Sequence, residues 1–299
     1  MKVFITGGTG FVGKTLVQKL LEKGYTITVL SRQGKGPFPP EVRILKGDPT
    51  QRGAWQDEVV DQEVIINLAG ASIFQRWTQE AKEQIRNSRI LTTQNLVDGL
   101  SNPKHPVIFM STSAVGYYGP RGEEILTEDA PHGSDFLATL TVDWEKEAMK
   151  ATSFGHRVIT MRFGIVLGKK GGALQFMARP FRYFLGSGLG SGKQYFSWIH
   201  ERDLVQIFLF LMERDIVGPV NCTSPNPVTN QELTRLLGKV LKRPAILPNV
   251  PNFVLRLVLG EFAQAILTGQ RVIPKRLLEM GYRFMFPEVE GALMDLLGS

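Results

Sequence analysis

The stretch Lys2-Val3-Phe4-Ile5-Thr6-Gly7-Gly8-Thr9-Gly10-Phe11-Val12-Gly13, continued by Lys14-Thr15-Leu16-Val17-Gln18-Lys19-Leu20-Leu21, decides how this chain folds. Val3 to Thr6 reads as a short buried strand, the glycines as a tight turn, and Leu16, Leu20 and Leu21 as the apolar stripe of a helix. In that order, the glycines let the backbone bend sharply and approach a pyrophosphate, whose charge rests on free N–H groups at the positive end of the helix. Both Gly8-x-Gly10-x-x-Gly13 and Gly7-x-x-Gly10-x-x-Gly13 are satisfied. Such a pattern alone is a weak signal because glycine is common. The flanking strand and helix turn it into a dinucleotide site.

At 299 residues the chain makes one large domain or two modest ones with a sizeable core. Its net charge of +7 suits an anionic ligand. The Lys and Arg residues are scattered, however, so no nucleic-acid partner is implied. Cys222 is the single cysteine, which excludes an intrachain disulfide and a cysteine-built zinc site and fits a reducing compartment. Val3 to Thr6 is too short for a signal segment, and no apolar run reaches spanning length. The expectation is a cytoplasmic protein with a small-molecule substrate and neither metal nor membrane partner; a homodimer is left open.

Tyr25 to Leu30 reads as a second strand, ending at Ser31-Arg32-Gln33. An acidic residue about 20 positions past the glycines takes a ribose 2′-hydroxyl, whereas an arginine accommodates a 2′-phosphate. Arg32 stands at that distance with no acid nearby, which favours NADP over NAD unless Arg32 is a solvated turn residue. Val42 to Leu45 makes a third strand before Gly47-Asp48-Pro49, where Asp48 either meets an adenine or caps a turn. Val64 to Gly70 is a fourth, nearly continuous in apolar residues, with Ala69 and Gly70 small beside a cofactor or simply packed.

A helix from Thr78 to Leu100 places Ile85, Leu91, Leu96 and Leu100 inside and ends at Asn102-Pro103. Val107 to Met110 delivers Ser111-Thr112-Ser113 and Tyr117-Tyr118 to the carboxyl edge of the sheet, where hydroxyls face the ligand crevice. Trp144, Ala148 and Met149 mark another helix, and Val158 to Val166 a sixth strand carrying Arg162-Phe163-Gly164. Arg162 needs an anion there, either a ligand phosphate or a carboxylate of the chain. Gly168 to Gly192, with Phe181, Tyr183 and Phe184, either closes over a ligand or is a surface loop. Ile199 to Met212 reads as a helix entered at His200, a residue that is either a base or a structural hydrogen-bonder, with Asp203 as a cap. Prolines downstream of Asn221 separate short apolar helices.

Alternating strands and helices give an α/β, Rossmann-type doubly wound parallel sheet with a smaller, mainly helical C-terminal cap. The division is residues 1–168 for the NADP-binding domain, with 198–222 returning to it, and 169–197 plus 223–299 for the substrate cap.

The glycine turn, Asn67-Leu68-Ala69-Gly70, Ser111-Thr112-Ser113 and Arg162 to Gly168 together resemble the extended short-chain dehydrogenase/reductase family, the group of nucleotide-sugar epimerases and dehydratases. Arg76-Trp77-Thr78, Ser88-Arg89-Ile90, Trp144-Glu145, Ser197 to His200, Arg243-Pro244 and Gly269 to Val272 resemble its epimerase-like branch along the whole chain. That branch often carries a cell-division-inhibitor label, which nothing in these residues supports. The resemblance implies NADP(H) held by Gly7, Thr9, Gly10, Phe11, Val12 and Gly13 at the pyrophosphate, and by Ser31 and Arg32 at the 2′-phosphate. Leu68, Ala69 and Gly70 would line the adenosine half, and Ser111, Phe163 and Gly164 the nicotinamide end. Ser113 would be the active-site hydroxyl, donating a hydrogen bond to a carbonyl oxygen as hydride arrives.

The family's Tyr-x-x-x-Lys pair falls, by alignment on Trp144-Glu145, at Leu137 and Thr141, which cannot serve as acid and base. Tyr117 or Tyr118 either supplies a phenol from another direction or packs. The expected function is an NADP(H)-dependent oxidoreductase or epimerase-like enzyme acting on a small polar or anionic metabolite. The alternative is a non-catalytic NADP-binding sensor or regulator.

Overall fold

The computed structural model describes residues 1–102 and 104–298; Pro103, expected to close the long helix, lies outside the described residues. The chain runs β1 (Lys2–Thr6), α1 (Phe11–Glu22), β2 (Thr26–Ser31), β3 (Arg43–Lys46), β4 (Val64–Asn67), α2 (Gln79–Gly99), β5 (Ile108–Ala114), β6 (Ile125–Leu126), α3 (Phe136–Met149), β7 (Arg157–Phe163), β8 (Ile165–Leu167) and α4 (Ala173–Arg182). It continues through β9 (Tyr195–Phe196), β10 (Trp198–His200), α5 (Glu201–Met212), β11 (Gly218–Cys222), β12 (Val228–Thr229), α6 (Asn230–Val240), α7 (Asn252–Leu259), α8 (Phe262–Leu267), β13 (Arg271–Val272), α9 (Lys275–Glu279) and α10 (Val289–Leu297).

Seven strands form one parallel sheet in the spatial order β11-β7-β5-β4-β1-β2-β3. The chain winds outward one way from β1 and the other way from β4, so the crevice at the carboxyl ends opens between these two strands. Alternation within each strand fills two cores. Val3 and Ile5 join Leu16, Val17 and Leu20 of α1 and the apolar face of α5, while Phe4 joins Leu96 of α2 and Ala148 of α3 on the opposite face. Leu16 and Leu20 are fully buried, each contributing about 1.5–3 kcal/mol and fixing α1 against the sheet. A third core gathers Leu174, Leu236, Leu237 and Leu293 from α4, α6 and α10 around Trp198.

Several boundaries move. Leu91 is exposed and Ile90 lies inside instead, because the stripe of this long helix runs through Ile85, Ile90 and Leu96. The run expected to be one strand from Val158 to Val166 breaks at Gly164. Its first part joins the large sheet, while Ile165–Leu167 pairs with Trp198–His200. Ile199 is therefore in a strand, and the helix starts at Glu201, where Glu201 and Asp203 favour its positive end. The glycines after Leu167 surround the Phe11 ring: a Cβ on Gly171 would lie 2.6 Å from it. These glycines thus make room for a side chain of the N-terminal turn, and α4 follows them with Phe181 buried and Tyr183 and Phe184 exposed.

Candidate functional site

The glycine turn is packed backbone on backbone. Gly7 has φ +71°, and a Cβ there would sit 2.6 Å from the Leu68 carbonyl carbon; one on Gly13 would sit 2.6 Å from Gly8 Cα. Only glycine tolerates both positions. Gly10 caps α1 without a side-chain hydrogen bond, leaving the N–H groups of Phe11, Val12 and Gly13 for a ligand. Thr9 is half-buried in the same turn. Leu68, Ala69 and Gly70 leave β4 against it, held by Leu68 N donating to the Thr6 carbonyl at 3.0 Å. A cradle with free donors and no side chain in the way fits a dinucleotide pyrophosphate.

At the far end, Ser31 closes β2 and its hydroxyl donates to the Lys35 carbonyl at 2.9 Å. Arg32 is exposed and has no ion-pair partner among the described residues. Lys46 lies opposite Ser31 in the β2–β3 register, a second cation that the spacing argument missed. Asp48 Oδ1 accepts from Thr50 N at 2.9 Å and from Thr50 Oγ1 at 2.7 Å, which is the turn-capping role.

Ser111, Thr112 and Ser113 lie inside β5 rather than beyond it, and the register then decides their neighbours. Ser113 stands opposite Arg162 of β7, and Arg162 opposite Asn221 of β11, so three polar side chains share one face in one row. Above them α3 supplies Glu145. Ser113 Oγ donates to Glu145 Oε1 at 2.6 Å, and Arg162 clasps the same carboxylate through Nε and Nη2, both at 2.8 Å. Arg162 Nη1 donates to Tyr118 Oη at 2.9 Å and to the Glu128 carbonyl at 3.3 Å. The Tyr117 ring covers the guanidinium at 3.5 Å. Burial works against the Arg162 charge, but the hydrogen bonds and charge of Glu145 outweigh it and hold the guanidinium above its ordinary value.

Arg162, expected among the cofactor contacts, is thus answered by a carboxylate of the chain itself. Tyr118 is fully buried and donates to Asn221 Oδ1 at 2.7 Å; burial pushes its phenol up to about 12. It is a structural member of the network. Tyr117 is half-buried, with its ring against Tyr118 and His132. Ser111 is buried beside Asn67, whose amide donates to Thr93 Oγ1 at 2.9 Å and whose carbonyl accepts from Thr6 Oγ1 at 2.8 Å. That chain of hydrogen bonds ties β1, β4 and α2 below the crevice. Phe163 packs edge-on against Phe208, and Gly164 N donates to the Cys222 carbonyl at 3.1 Å.

His200 caps α5 by accepting from Arg202 N at 3.0 Å and lies 3.3 Å from Asp295, the structural role. Asp203 is no helix cap; it accepts from Met285 N and Phe286 N at 2.8 and 2.9 Å and binds the chain before α10. Leu137 and Thr141 occupy α3 as expected. Thr141 Oγ1 bonds back to the Leu137 and Ala138 carbonyls. Glu145 follows Thr141 by four residues, on the same helical stripe. Its place on that stripe was the available signal, and the Trp-Glu pair carries it. Among the described residues no cluster of His, Cys, Asp and Glu could hold a metal, and no helix is long and apolar enough to cross a membrane.

Fold and site together define a doubly wound dinucleotide-binding protein with a helical C-terminal portion. Residues 3–222 match the NAD dependent epimerase/dehydratase family, and the chain belongs to that family; residues 250–296 match a domain of unknown function. A chloroplastic epimerase family protein SDR39U1 homolog of Arabidopsis thaliana is 41% identical over 308 residues, covering 99% of this chain and 87% of the relative. The epimerase family protein YfhF of Bacillus subtilis is 37% identical, covering 99% of this chain and 98% of that one. Among solved structures, human epimerase family protein SDR39U1 with NADPH superposes with a TM-score of 0.85 at 33% identity, covering 99% of both chains.

Proposed function

We propose that this chain is an NADP(H)-dependent oxidoreductase or epimerase-like enzyme acting on a small polar or anionic metabolite. The observation that carries the proposal is the Ser113 hydroxyl at the carboxyl edge of the sheet, hydrogen-bonded to a Glu145 that Arg162 fixes in place. NADP(H) is favoured by Arg32 and Lys46 at the ends of β2 and β3 and by the NADPH carried by the human relative. Gly7, Thr9, Gly10, Phe11, Val12 and Gly13 would hold the pyrophosphate, Ser31 and Arg32 the 2′-phosphate, and Leu68 to Gly70 the adenosine half. Ser111, Phe163 and Gly164 would border the nicotinamide end. When bound, the nicotinamide ring gives or takes a hydride.

The chain's own residues handle the proton. The Ser113 hydrogen points at Glu145, so the oxygen turns its lone pairs away from that carboxylate. It therefore accepts from a substrate hydroxyl rather than donating to a carbonyl at rest, which reverses the polarity expected from the resemblance. As the substrate O–H proton passes to Ser113 Oγ, the Ser113 proton passes to Glu145 Oε1; reduction runs the same transfers backwards. Arg162 orients the carboxylate, and the Tyr117 ring covers the Arg162 guanidinium.

Titration of the purified protein with NADPH and NADH, read by nucleotide fluorescence, tests the cofactor. NADPH should bind more tightly, and Arg32→Asp should weaken NADPH by about tenfold or more with little change for NADH. A panel of alcohols and carbonyls then tests the chemistry: turnover abolished by Ser113→Ala supports the enzyme. NADPH binding without any turnover gives a non-catalytic sensor, and no nucleotide binding removes the proposal.

A further inference from the structure

Gly168 to Gly192, which the sequence left as either a segment closing over a ligand or a surface loop, lies across the mouth of the crevice. The segment leaves β8 at Leu167, turns through Gly168-Lys169-Lys170-Gly171-Gly172 and enters α4. At the turn it meets the β1 side of the crevice: a Cβ on Gly171 would lie 2.6 Å from Cδ2 of the Phe11 ring, and one on Gly172 2.8 Å from Cε1. One helical turn further, the Phe176 ring stacks on Phe74 of the loop after β4, with centroids 6.1 Å apart. Phe74 in turn stands edge-on to buried Phe262 of α8 at 5.9 Å. A helix that begins against the first residue of α1 and reaches the β4 loop one turn later spans the gap between β1 and β4.

Its hold on that position is light. Leu174 and Phe181 are the large side chains that α4 buries in the third core, and its other buried positions are Ala173 and Ala178. Among the described residues no side-chain hydrogen bond or ion pair joins α4 to another element; Gln175 Nε2 donates to the Lys169 carbonyl at 2.7 Å, inside the same segment. Pro180 withholds one backbone N–H from the helix, and Phe184 follows at φ +59°, a strained value for an aromatic residue. Firm pairing resumes where Val250 N donates to the Gly188 carbonyl at 2.8 Å and Gly190 N to the Val250 carbonyl at 2.9 Å. α4 is thus a lightly packed helix between two joints, the glycines before it and the stretch Phe184 to Ser187 after it. Phe176 is 68% exposed and Phe74 43%, so the stack that closes the span lies at the surface.

We infer that residues 168–187 form a lid over the crevice, in which α4 lifts when Phe176 parts from Phe74 and is held shut when a dinucleotide occupies the glycine turn. The link between turn and lid is Phe11. Its backbone N–H belongs to the phosphate cradle, and its ring is enclosed by Gly168, Gly171 and Gly172. A phosphate on that N–H fixes the start of α1 and with it the ring around which the first joint closes, so the ligand binds the shut form better than the lifted one. The occupant of the turn rests on the cofactor reading above, whereas the lid and its Phe74 latch rest on the packing alone. Closure of this kind excludes water from a hydride transfer and retains the cofactor.

Hydrogen exchange of the full chain, read by mass spectrometry, tests this. In the ligand-free protein the amides of α4 should exchange faster than those of α10, and Phe176→Ala should speed them by about 3- to 10-fold without changing α10. Truncating so exposed a ring leaves the fold intact. Saturating NADPH should slow exchange in α4 of the wild type by about tenfold or more. Phe11→Ala should still bind NADPH through the unchanged backbone donors but lose that slowing, and Phe11→Leu, the second variant should the first not fold, should lose part of it. Exchange in α4 that ignores Phe176→Ala overturns the lid, as does an α4 unaffected by NADPH that protects the glycine turn. Undiminished protection of α4 in whichever Phe11 variant folds overturns the link through that ring. If NADPH binds nowhere while Phe176→Ala still frees α4, the cofactor reading falls and the lid stands.

Discussion

Arg162 is 2% exposed and still charged because Glu145 meets it with both oxygens. A buried pair of this kind stabilises little against an apolar pair of equal volume, but breaking it strands one charge. Arg162→Met should therefore lower the unfolding free energy by about 3–5 kcal/mol in urea titrations, and Glu145→Leu combined with Arg162→Met should recover most of that loss. If the single variant loses less than about 1 kcal/mol, the ion pair is not what joins β5, β7 and α3. The need of Arg162 for an anion was legible from a charged residue in an apolar strand. Which anion it takes was not, since Glu145 reaches it only through the docking of α3 on the sheet.

Among the elements, β1, its turn and α1 were legible because their signals are local: a buried apolar run, glycine spacing and an apolar stripe of helical period. Gly13→Ala tests the turn. The added Cβ would meet Gly8 backbone at 2.6 Å, where no side chain can give way. NADPH affinity should fall by about tenfold or more while circular dichroism keeps the wild-type helix content; undiminished affinity would separate the turn from the ligand. The break at Gly164 and the strand at Trp198–His200 were not legible, because β8 and β10 are strands only through pairing with each other. On α3 the stripe Leu137, Thr141, Glu145 shows the reverse case, in which the position read as an absent acid–base pair leads one turn further to a carboxylate.

Across the molecule, the C-terminal helices are tied to the sheet by polar side chains as well as by the third core. Asp203 holds the chain at Met285 and Phe286, and His200 stacks on Phe286 beside Asp295. Burial lowers the His200 imidazole to about 4; the Asp295 charge opposes the shift and Arg202 adds to it. Below its ordinary value of 6.5 the folded chain thus binds fewer protons than the unfolded chain. Stability should fall as pH drops from about 6.5 towards 4. His200→Asn, which keeps a capping acceptor, should show a smaller drop in melting temperature between pH 7 and pH 4.5. Equal drops in both proteins would clear His200 of that role.

The sequence by itself determined the dinucleotide fold, the phosphate-cradling turn, the place of Ser113 at the sheet edge and the absence of the Tyr and Lys pair. The fold, the turn and the place of Ser113 follow from periodicity, glycine spacing and short motifs set by neighbours along the chain, whereas the missing pair is what the resemblance to the family implies. Tertiary structure alone decided that the Ser113 proton is committed to Glu145 and that Arg162 is answered internally. The physical reason is that charge pairing depends on strand order, register and helix docking. Ser113, Arg162 and Asn221 become neighbours only when β5, β7 and β11 lie side by side, and Glu145 reaches them only when α3 docks on that face.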